Sequence, residues 1–228
     1  YLAGFSLTIT PGKSGEALRS IFLKDHNVSF RKSFGAFFSE RLSDLISVIV
    51  LASSGLWMHP DGRPILIIVA AIVIFLLYAI QKETWIRGIE RMARKTLPLR
   101  FSNIIEFSLE MLIAFRSCFT PRILISGMVL GVLAWGLQGL ALYYILEKLN
   151  FNIDLLTSLF IYGFSLLVGA LTLLPGGLGG TEVTMVKLLT LHNVPASSAV
   201  AVTLIIRLAT LWFSVILGIL ALPKKQKT

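Results

Sequence analysis

The segment LLPGGLGGTEV, from Leu173 to Val183, interrupts an apolar run that is long enough to cross a membrane. Its proline and four glycines disfavour a continuous helix, and a glutamate follows closely. Unpaired backbone N–H and C=O groups are costly in lipid, so a break persists only where protein, water or a polar ligand covers them. The segment therefore predicts a broken helix whose open backbone faces the protein interior. Close packing between helices is the alternative reason for glycines here.

The composition of the chain is that of an integral membrane protein. Of the 228 residues, 55% are hydrophobic and 14% are charged, whereas soluble domains are about 45–50% apolar and about 25% charged. Five apolar segments approach the length that crosses a hydrocarbon core about 30 Å thick. We therefore predict an all-α, polytopic helical bundle in the cell membrane. The five segments are Phe34–Trp57, Ile65–Ile80, Ile123–Leu146, Leu155–Leu174 and Ala199–Leu222.

The distribution of Lys and Arg predicts how these segments are oriented. Basic residues are concentrated before the first span, between the second and third, and after the last, whereas the short loops HPDGR and EKLN carry one each. The positive-inside rule places the three basic regions in the cytoplasm. This orientation, with the basic C-terminal tail inside, is possible if Leu155–Leu174 runs inward and Leu178–Leu191 returns outward as a re-entrant helix. The net charge of +9 is assigned to cytoplasmic loops and anionic headgroups, not to nucleic acid.

The polar linker between the second and third spans contains an amphipathic pattern. Trp85, Ile86, Ile89 and Met92 recur at helical spacing, and arginines occupy the other faces. Such a helix suits an anionic membrane surface. Packing against other cytoplasmic parts of the protein is the alternative.

The break near Pro175 has a counterpart near the N-terminus. Both copies contain Pro-Gly, a glutamate, a short helix and the tripeptide His-Asn-Val. The interval from His26 to Arg41 equals that from His192 to Arg207. An odd number of crossings separates the copies, so they are predicted to be inverted repeats with broken helices, a transporter plan whose binding site lies near the membrane midplane.

These patterns predict the domain organisation. The chain begins with Tyr1 inside an apolar run, so we expect further N-terminal spans in the natural protein. The residues present read as one membrane domain, 1–228. It divides into a first repeat motif at 1–58, a cytoplasmic amphipathic linker at 82–122 and a second repeat motif at 155–222.

Charged residues within the apolar segments are candidate ligand groups, since they must face inward in a membrane. The guanidinium groups of Arg41 and Arg207 suit phosphate, and Glu16 and Glu182 suit a cationic headgroup or a proton. Glycine and a helix N-terminus let a phosphate approach backbone N–H groups. The predicted substrate-binding residues are Gly12, Gly15, Glu16, Arg19, Glu40, Arg41, Asp44, Gly176, Gly177, Gly179, Gly180, Glu182 and Arg207. Structural salt bridges, Glu16–Arg41 and Glu182–Arg207, are the alternative.

Other patterns give no sign of soluble catalysis. Gly12-Lys13-Ser14 resembles the end of a P-loop, but Leu7 stands where that loop needs glycine. The three histidines and the single Cys118 have no metal-ligand spacing. We therefore predict no catalytic residues, no metal and no cofactor. The patterns favour a transporter over an enzyme.

The segments TPGKSGEALRSIFL and LLPGGLGGTE resemble the lysylphosphatidylglycerol synthase transmembrane-region family, also called flippase-like membrane proteins. The resemblance implies a multi-pass bacterial or archaeal protein that moves phospholipids or isoprenoid-phosphate-linked lipids between leaflets. The expected partners are membrane lipids with anionic headgroups. The alternatives are a membrane domain of, or partner to, a lipid-modifying aminoacyl- or glycosyl-transferase, and a structural subunit, with a homo-oligomer also open. The residues that carry the resemblance are Pro11, Gly12, Gly15, Glu16, Arg19, Glu40, Arg41, Pro175, Gly176, Gly177, Gly179, Gly180 and Glu182.

Overall fold

The described part of the chain consists of helices joined by short turns. The computed structural model describes residues 5–6, 30–55, 63–82, 88 and 120–221, and no strand occurs among them. A 3-10 turn at Pro175–Gly177 lies between α4 and α5, and a π-helical turn at Leu208–Trp212 joins α6 to α7. The helices are α1 (Phe30–Ser53), α2 (Arg63–Gln81), α3 (Pro121–Lys148), α4 (Leu155–Leu171), α5 (Gly180–Leu191), α6 (Ala196–Arg207) and α7 (Phe213–Leu220).

The all-α prediction is confirmed for these residues, and each predicted long apolar segment lies mainly on a helix. Two helical stretches are long and apolar enough to cross a membrane, Arg122–Lys148 and Ala196–Leu220, with mean hydropathies of 1.8 and 2.2. Arg63–Ala79 and Leu155–Leu171 are apolar but shorter. The predicted short helix near the N-terminus lies outside the described residues, and so does the amphipathic linker helix apart from residue 88.

Large apolar side chains cover the outer faces of the helices. Leu130 and Leu137 of α3 are 67% and 64% exposed, and α2 presents a similar row of isoleucines. At the C-terminal ends of α2 and α3, Lys82 and Lys148 each lie over a tyrosine ring, 5.3 and 5.2 Å from its centroid. Apolar faces that end in Tyr and Lys are typical of helices surrounded by lipid.

Small residues bring α1, α3 and α4 into close contact. A methyl group added at Gly163 of α4 would lie 3.0 Å from the Ala52 nitrogen of α1. On the neighbouring side, the Ser47 hydroxyl donates to the Met128 carbonyl of α3 over 3.2 Å. Helices in membranes pack through small residues and hydrogen bonds because lipid supplies no hydrophobic drive between them. The three helices form the frame that carries the charged residues of α1.

The predicted break in LLPGGLGGTEV lies between α4 and α5. Gly176, Gly177 and Gly179 have φ values of 61, 67 and 83°, and Leu173 has 54°. The left-handed conformation costs about 1–2 kcal/mol for a residue with a side chain, so glycine fits three of the four positions. After the turn, α5 packs against α4 on one side and α6 on the other. The break is thus a tight turn between two packed helices. The re-entrant path and the inverted repeat stay predictions.

Candidate functional site

Arg207 holds the turn and the start of α5 in place. It is the last residue of α6 and is only 4% exposed. Its Nε donates to Oε1 of Glu182 over 2.5 Å, and its Nη2 donates to the Gly176 carbonyl over 2.9 Å. One buried guanidinium therefore satisfies both a carboxylate and a carbonyl that the helix break leaves open. We name Glu182, Arg207 and Gly176 the turn cluster.

Glu182 has a second role within its own helix. It is the third residue of α5, and its Oε2 accepts from the Gly179 N–H over 2.6 Å. A carboxylate at this position satisfies an open donor and complements the helix dipole. The donor at Gly179, one of those proposed for a ligand phosphate, is therefore occupied by the protein itself. The geometry matches the salt bridge between Glu182 and Arg207 that the sequence left as an alternative.

A second cluster of charged residues lies on one face of α1. Nη2 of Arg41 is 2.9 Å from Oε1 of Glu40 and 3.2 Å from Oδ2 of Asp44. Oδ1 of Asp44 also accepts from the indole N–H of Trp135 on α3, over 3.2 Å. The Arg41 side chain stays 21% exposed. We name Glu40, Arg41, Asp44 and Trp135 the α1 cluster.

A cavity of about 210 Å³ brings the α1 cluster and the glycine turn together. Its lining includes Arg41, Asp44 and Trp135 as well as Gly176 and Gly177. Most of the remaining lining consists of apolar side chains of α1, α4 and the residues after α4. Charged groups of the first predicted repeat and glycines of the second thus line one space.

A groove of about 510 Å³ runs between α5 and α6. Its charged lining residues are Glu182 and Lys187, and valines and a leucine supply most of the rest. The Thr203 side chain also lines it, and its buried hydroxyl has no hydrogen-bond partner among the described residues. We name this the outer groove. Glu182 lines the outer groove while Gly176 lines the cavity, so Arg207 contacts the lining of both spaces.

The structure brings several of the residues predicted to bind substrate close to one another. Glu40, Arg41 and Asp44 meet in the α1 cluster, and Gly176, Gly177, Gly179, Glu182 and Arg207 meet around the turn. Gly180 instead lets α5 approach α4, since a methyl group there would lie 2.6 Å from Cγ2 of Thr172. The role of all these residues in ligand binding stays a prediction. Gly12, Gly15, Glu16 and Arg19 lie outside the described residues.

Sequence reasoning missed two polar groups on α3. Trp135 enters the α1 cluster, and Gln138 accepts a hydrogen bond from the buried Tyr162 hydroxyl over 2.6 Å. Their sequence signal was a tryptophan and a glutamine in the middle of an apolar span, where polar groups need partners. Among the described ranges, no group of three or more His, Cys, Asp or Glu side chains could hold a metal ion.

Exposed apolar helices around a charged internal cleft define a helical membrane protein. The family model described as the lysylphosphatidylglycerol synthase TM region matches residues 1–218. The chain therefore belongs to the lysylphosphatidylglycerol synthase transmembrane-region family, which is a family of membrane proteins.

Archaeal relatives resemble the chain over nearly its whole length. A UPF0104 membrane protein of Pyrococcus horikoshii is 28% identical over 253 residues, covering 100% of this chain and 76% of the relative. Those of Methanocaldococcus jannaschii and Methanothermobacter thermautotrophicus are 29% and 27% identical, covering 98% and 96% of this chain and 99% and 71% of their own lengths. No solved structure matches the chain.

Proposed function

We propose that the protein is a multi-pass transporter of the cell membrane that binds a lipid through its phosphate and moves the headgroup between leaflets. The observation that carries this proposal is that Arg41 and the Gly176–Gly177 turn line the same cavity. The lipid is a phospholipid or an isoprenoid-phosphate-linked lipid.

Arg41 is the proposed phosphate ligand. A guanidinium forms two parallel hydrogen bonds to phosphate oxygens, which fixes the headgroup as well as attracting it. The side chain is partly exposed and lines the cavity. Asp44 of α1 holds the Arg41 guanidinium in position, and Trp135 of α3 holds Asp44. Gly176 and Gly177 of the same lining present backbone without a side chain, so an anion can approach closely.

The size and lining of the cavity match a headgroup better than a whole lipid. Sites for drug-sized ligands have volumes of about 300–1,000 Å³, and this cavity has about 210 Å³. Leu173 and Leu174, at the start of the turn, line it and are exposed. We propose that the phosphate enters the cavity while the lipid chains stay outside against these apolar side chains.

The broken helix is the proposed moving part. In transporters built from inverted repeats, discontinuous helices meet at the binding site, and movement of one repeat opens the site to each side in turn. We propose that α5 is re-entrant and belongs to the second such repeat. Its position between α4 and α6, next to the glycine turn, supports this assignment.

Lipid exchange in reconstituted vesicles tests the proposal. Proteoliposomes with fluorescent phosphatidylglycerol in both leaflets would be exposed to an impermeant quencher, and the slow loss of inner-leaflet signal gives the exchange rate. Arg41→Ala should lower the rate by about tenfold, the equivalent of one charge-assisted hydrogen bond. Arg122→Ala is the matched control, because Arg122 is exposed at the start of α3 and does not line the cavity.

Two results would contradict transport. Equal exchange rates for Arg41→Ala and Arg122→Ala would remove Arg41 from the pathway. Lipid binding to the wild-type protein with no exchange above that of empty vesicles would favour the alternative, a membrane domain that presents a lipid to a transferase.

A further inference from the structure

We infer that Glu182 is a proton-binding site, and that a proton on Glu182 frees Arg207 to bind the anion in the cavity. This inference rests on the proposed function, and it names a coupling ion for that site. The result would be uptake of a proton together with the anionic headgroup.

The first step concerns the hydrogen bonds that Arg207 already makes. Two of its nitrogens donate to protein acceptors, Oε1 of Glu182 and the carbonyl of Gly176, and the residue is 4% exposed. A phosphate that binds the Nε–Nη2 edge of the guanidinium, where two N–H groups point the same way, must displace these acceptors. Arg207 lies next to the cavity lining, because the Gly176 whose carbonyl it contacts is one of the lining residues.

The second step is the cost of displacement. A carboxylate that loses its cationic partner in a site of low polarity keeps its charge without compensation, which is strongly unfavourable. A proton on Oε1 removes that charge. Before the exchange, the carboxylate and the guanidinium sum to zero charge. Afterwards, the neutral acid and the guanidinium–phosphate pair also sum to zero for a singly charged phosphate. The proton and the anion therefore compensate each other at the site.

The third step is a route for the proton. Glu182 lines the outer groove, and 23% of its side chain is exposed. The proton can thus arrive from the outer groove, since Glu182 is among the residues that line the groove and not among those that line the cavity. The neutral acid keeps its role in α5, because its carbonyl oxygen can still accept from the Gly179 N–H that now bonds to Oε2. Protonation therefore releases Arg207 without uncapping the helix.

The other charged and titratable groups around Glu182 come from several elements. Lys187 shares the outer groove with it, and Arg207 reaches it from α6. From α4 comes Tyr162, which donates to Gln138 and interacts electrostatically with Arg207. Beyond the glycine turn lie Arg41 and Asp44, which pair with each other. Within α4, α5 and α6, Glu182 is the only carboxylate.

Calorimetry tests the coupling directly. Dihexanoyl phosphatidylglycerol would be titrated into the 228-residue chain in detergent at neutral pH, in two buffers of different ionisation enthalpy. The difference in heat gives the number of protons taken up per lipid, and we expect about one. Glu182→Gln mimics the protonated acid and should bind the lipid with about zero proton uptake. Glu147→Gln, an exposed substitution at the end of α3, should keep the wild-type value.

The outcomes separate the two proposals. Binding to the wild-type chain without proton uptake would overturn the coupling and leave the lipid site intact, and this result needs no variant. Equal proton uptake by Glu182→Gln and the wild type would also overturn it, since the proton would bind elsewhere. Absence of any binding of the probe to the wild-type chain would overturn the proposed function itself.

Discussion

Glu182 and Arg207 form an ion pair beside a helix break. The carboxylate lies in the first turn of α5 and the guanidinium at the end of α6, and their 2.5 Å contact lies next to a turn whose Gly176 carbonyl accepts the second hydrogen bond of Arg207. A break within an apolar run leaves polar backbone that lipid cannot satisfy. The ion pair and the bond to Gly176 are among the contacts that satisfy it, and the ion pair is also the contact that the proposed uptake of an anion would change.

Loss of the Arg207 side chain should destabilise the protein strongly. Arg207→Ala leaves Glu182 without its cation and the Gly176 carbonyl without its donor. Breaking a buried ion pair costs about 3–5 kcal/mol, and we expect the lower end because 23% of the Glu182 side chain is exposed. Thermal unfolding in detergent measures the effect. The double variant Glu182→Gln/Arg207→Met should recover part of the loss, and a double variant no more stable than Arg207→Ala would argue against a desolvated charge.

The glycine turn should not tolerate a side chain. Gly177 has φ +67°, and a methyl group there would lie 2.9 Å from Oγ1 of Thr181. Gly177→Ala should therefore lower the free energy of unfolding by about 1–2 kcal/mol from the backbone conformation alone. Gly136→Ala is the control, since the nearest atom to its methyl group would be 3.9 Å away. Equal unfolding temperatures for the two variants would show that the turn is not held in this conformation.

The sequence predicted the features that depend on position along one helix. Proline and glycine located the break, because they disfavour helix wherever they fall. Arg41 and Asp44 follow the same rule: residues three apart are neighbours on a helix, and these two form an ion pair on α1. The pairing of Glu182 with Arg207 was also proposed from sequence, as the alternative to ligand binding.

The sequence could not show which helices are neighbours. Trp135 reaches Asp44 only because α3 packs on α1 through Ser47, a contact between residues far apart in the chain. The occupation of the Gly179 donor by Glu182 was missed for another reason. The glutamate was considered as a ligand for substrate, and its position in the first turn of α5, which favours capping, was not used.

The start of α4 should respond to acid through Asp154. This residue precedes the helix, and its carboxylate accepts from the Thr157 N–H over 3.1 Å and from the Thr157 hydroxyl. The Thr157 hydroxyl bond lowers the pKa of Asp154 below its ordinary value of 3.8. A lowered pKa in the folded state stabilises the protein above the unfolded-state pKa, and this contribution is lost as the pH falls through the lower folded-state value.

Asp154→Ala should accordingly lose about 1 kcal/mol of stability at pH 7, the usual value of a helix cap. The difference from the wild type should shrink below about pH 4 as the carboxylate takes up a proton. Chemical unfolding of both proteins across pH 3 to 7 measures this trend. A difference that stays constant over the whole range would assign the effect to the cap geometry and not to the charge.

Trp135 should act as a positioning residue: its indole fixes Asp44 and, through Asp44, the Arg41 guanidinium that is proposed to bind phosphate. Its indole N–H donates to Asp44, and Asp44 in turn holds Arg41. Trp135→Phe keeps the aromatic ring in the cavity wall but removes the donor, so Asp44 and Arg41 lose part of their fixed geometry. A neutral hydrogen bond is worth about 1 kcal/mol, and a bond to a charged group about twice that, so lipid exchange should fall by roughly five- to thirtyfold. The unfolding temperature should change little, because Asp44 is partly exposed and keeps Arg41 as a partner.

Restoration of the exchange rate of Trp135→Phe by a high phosphatidylglycerol content would show that the variant binds the lipid more weakly. A rate that stays low at all lipid contents would place the defect in the movement of the site.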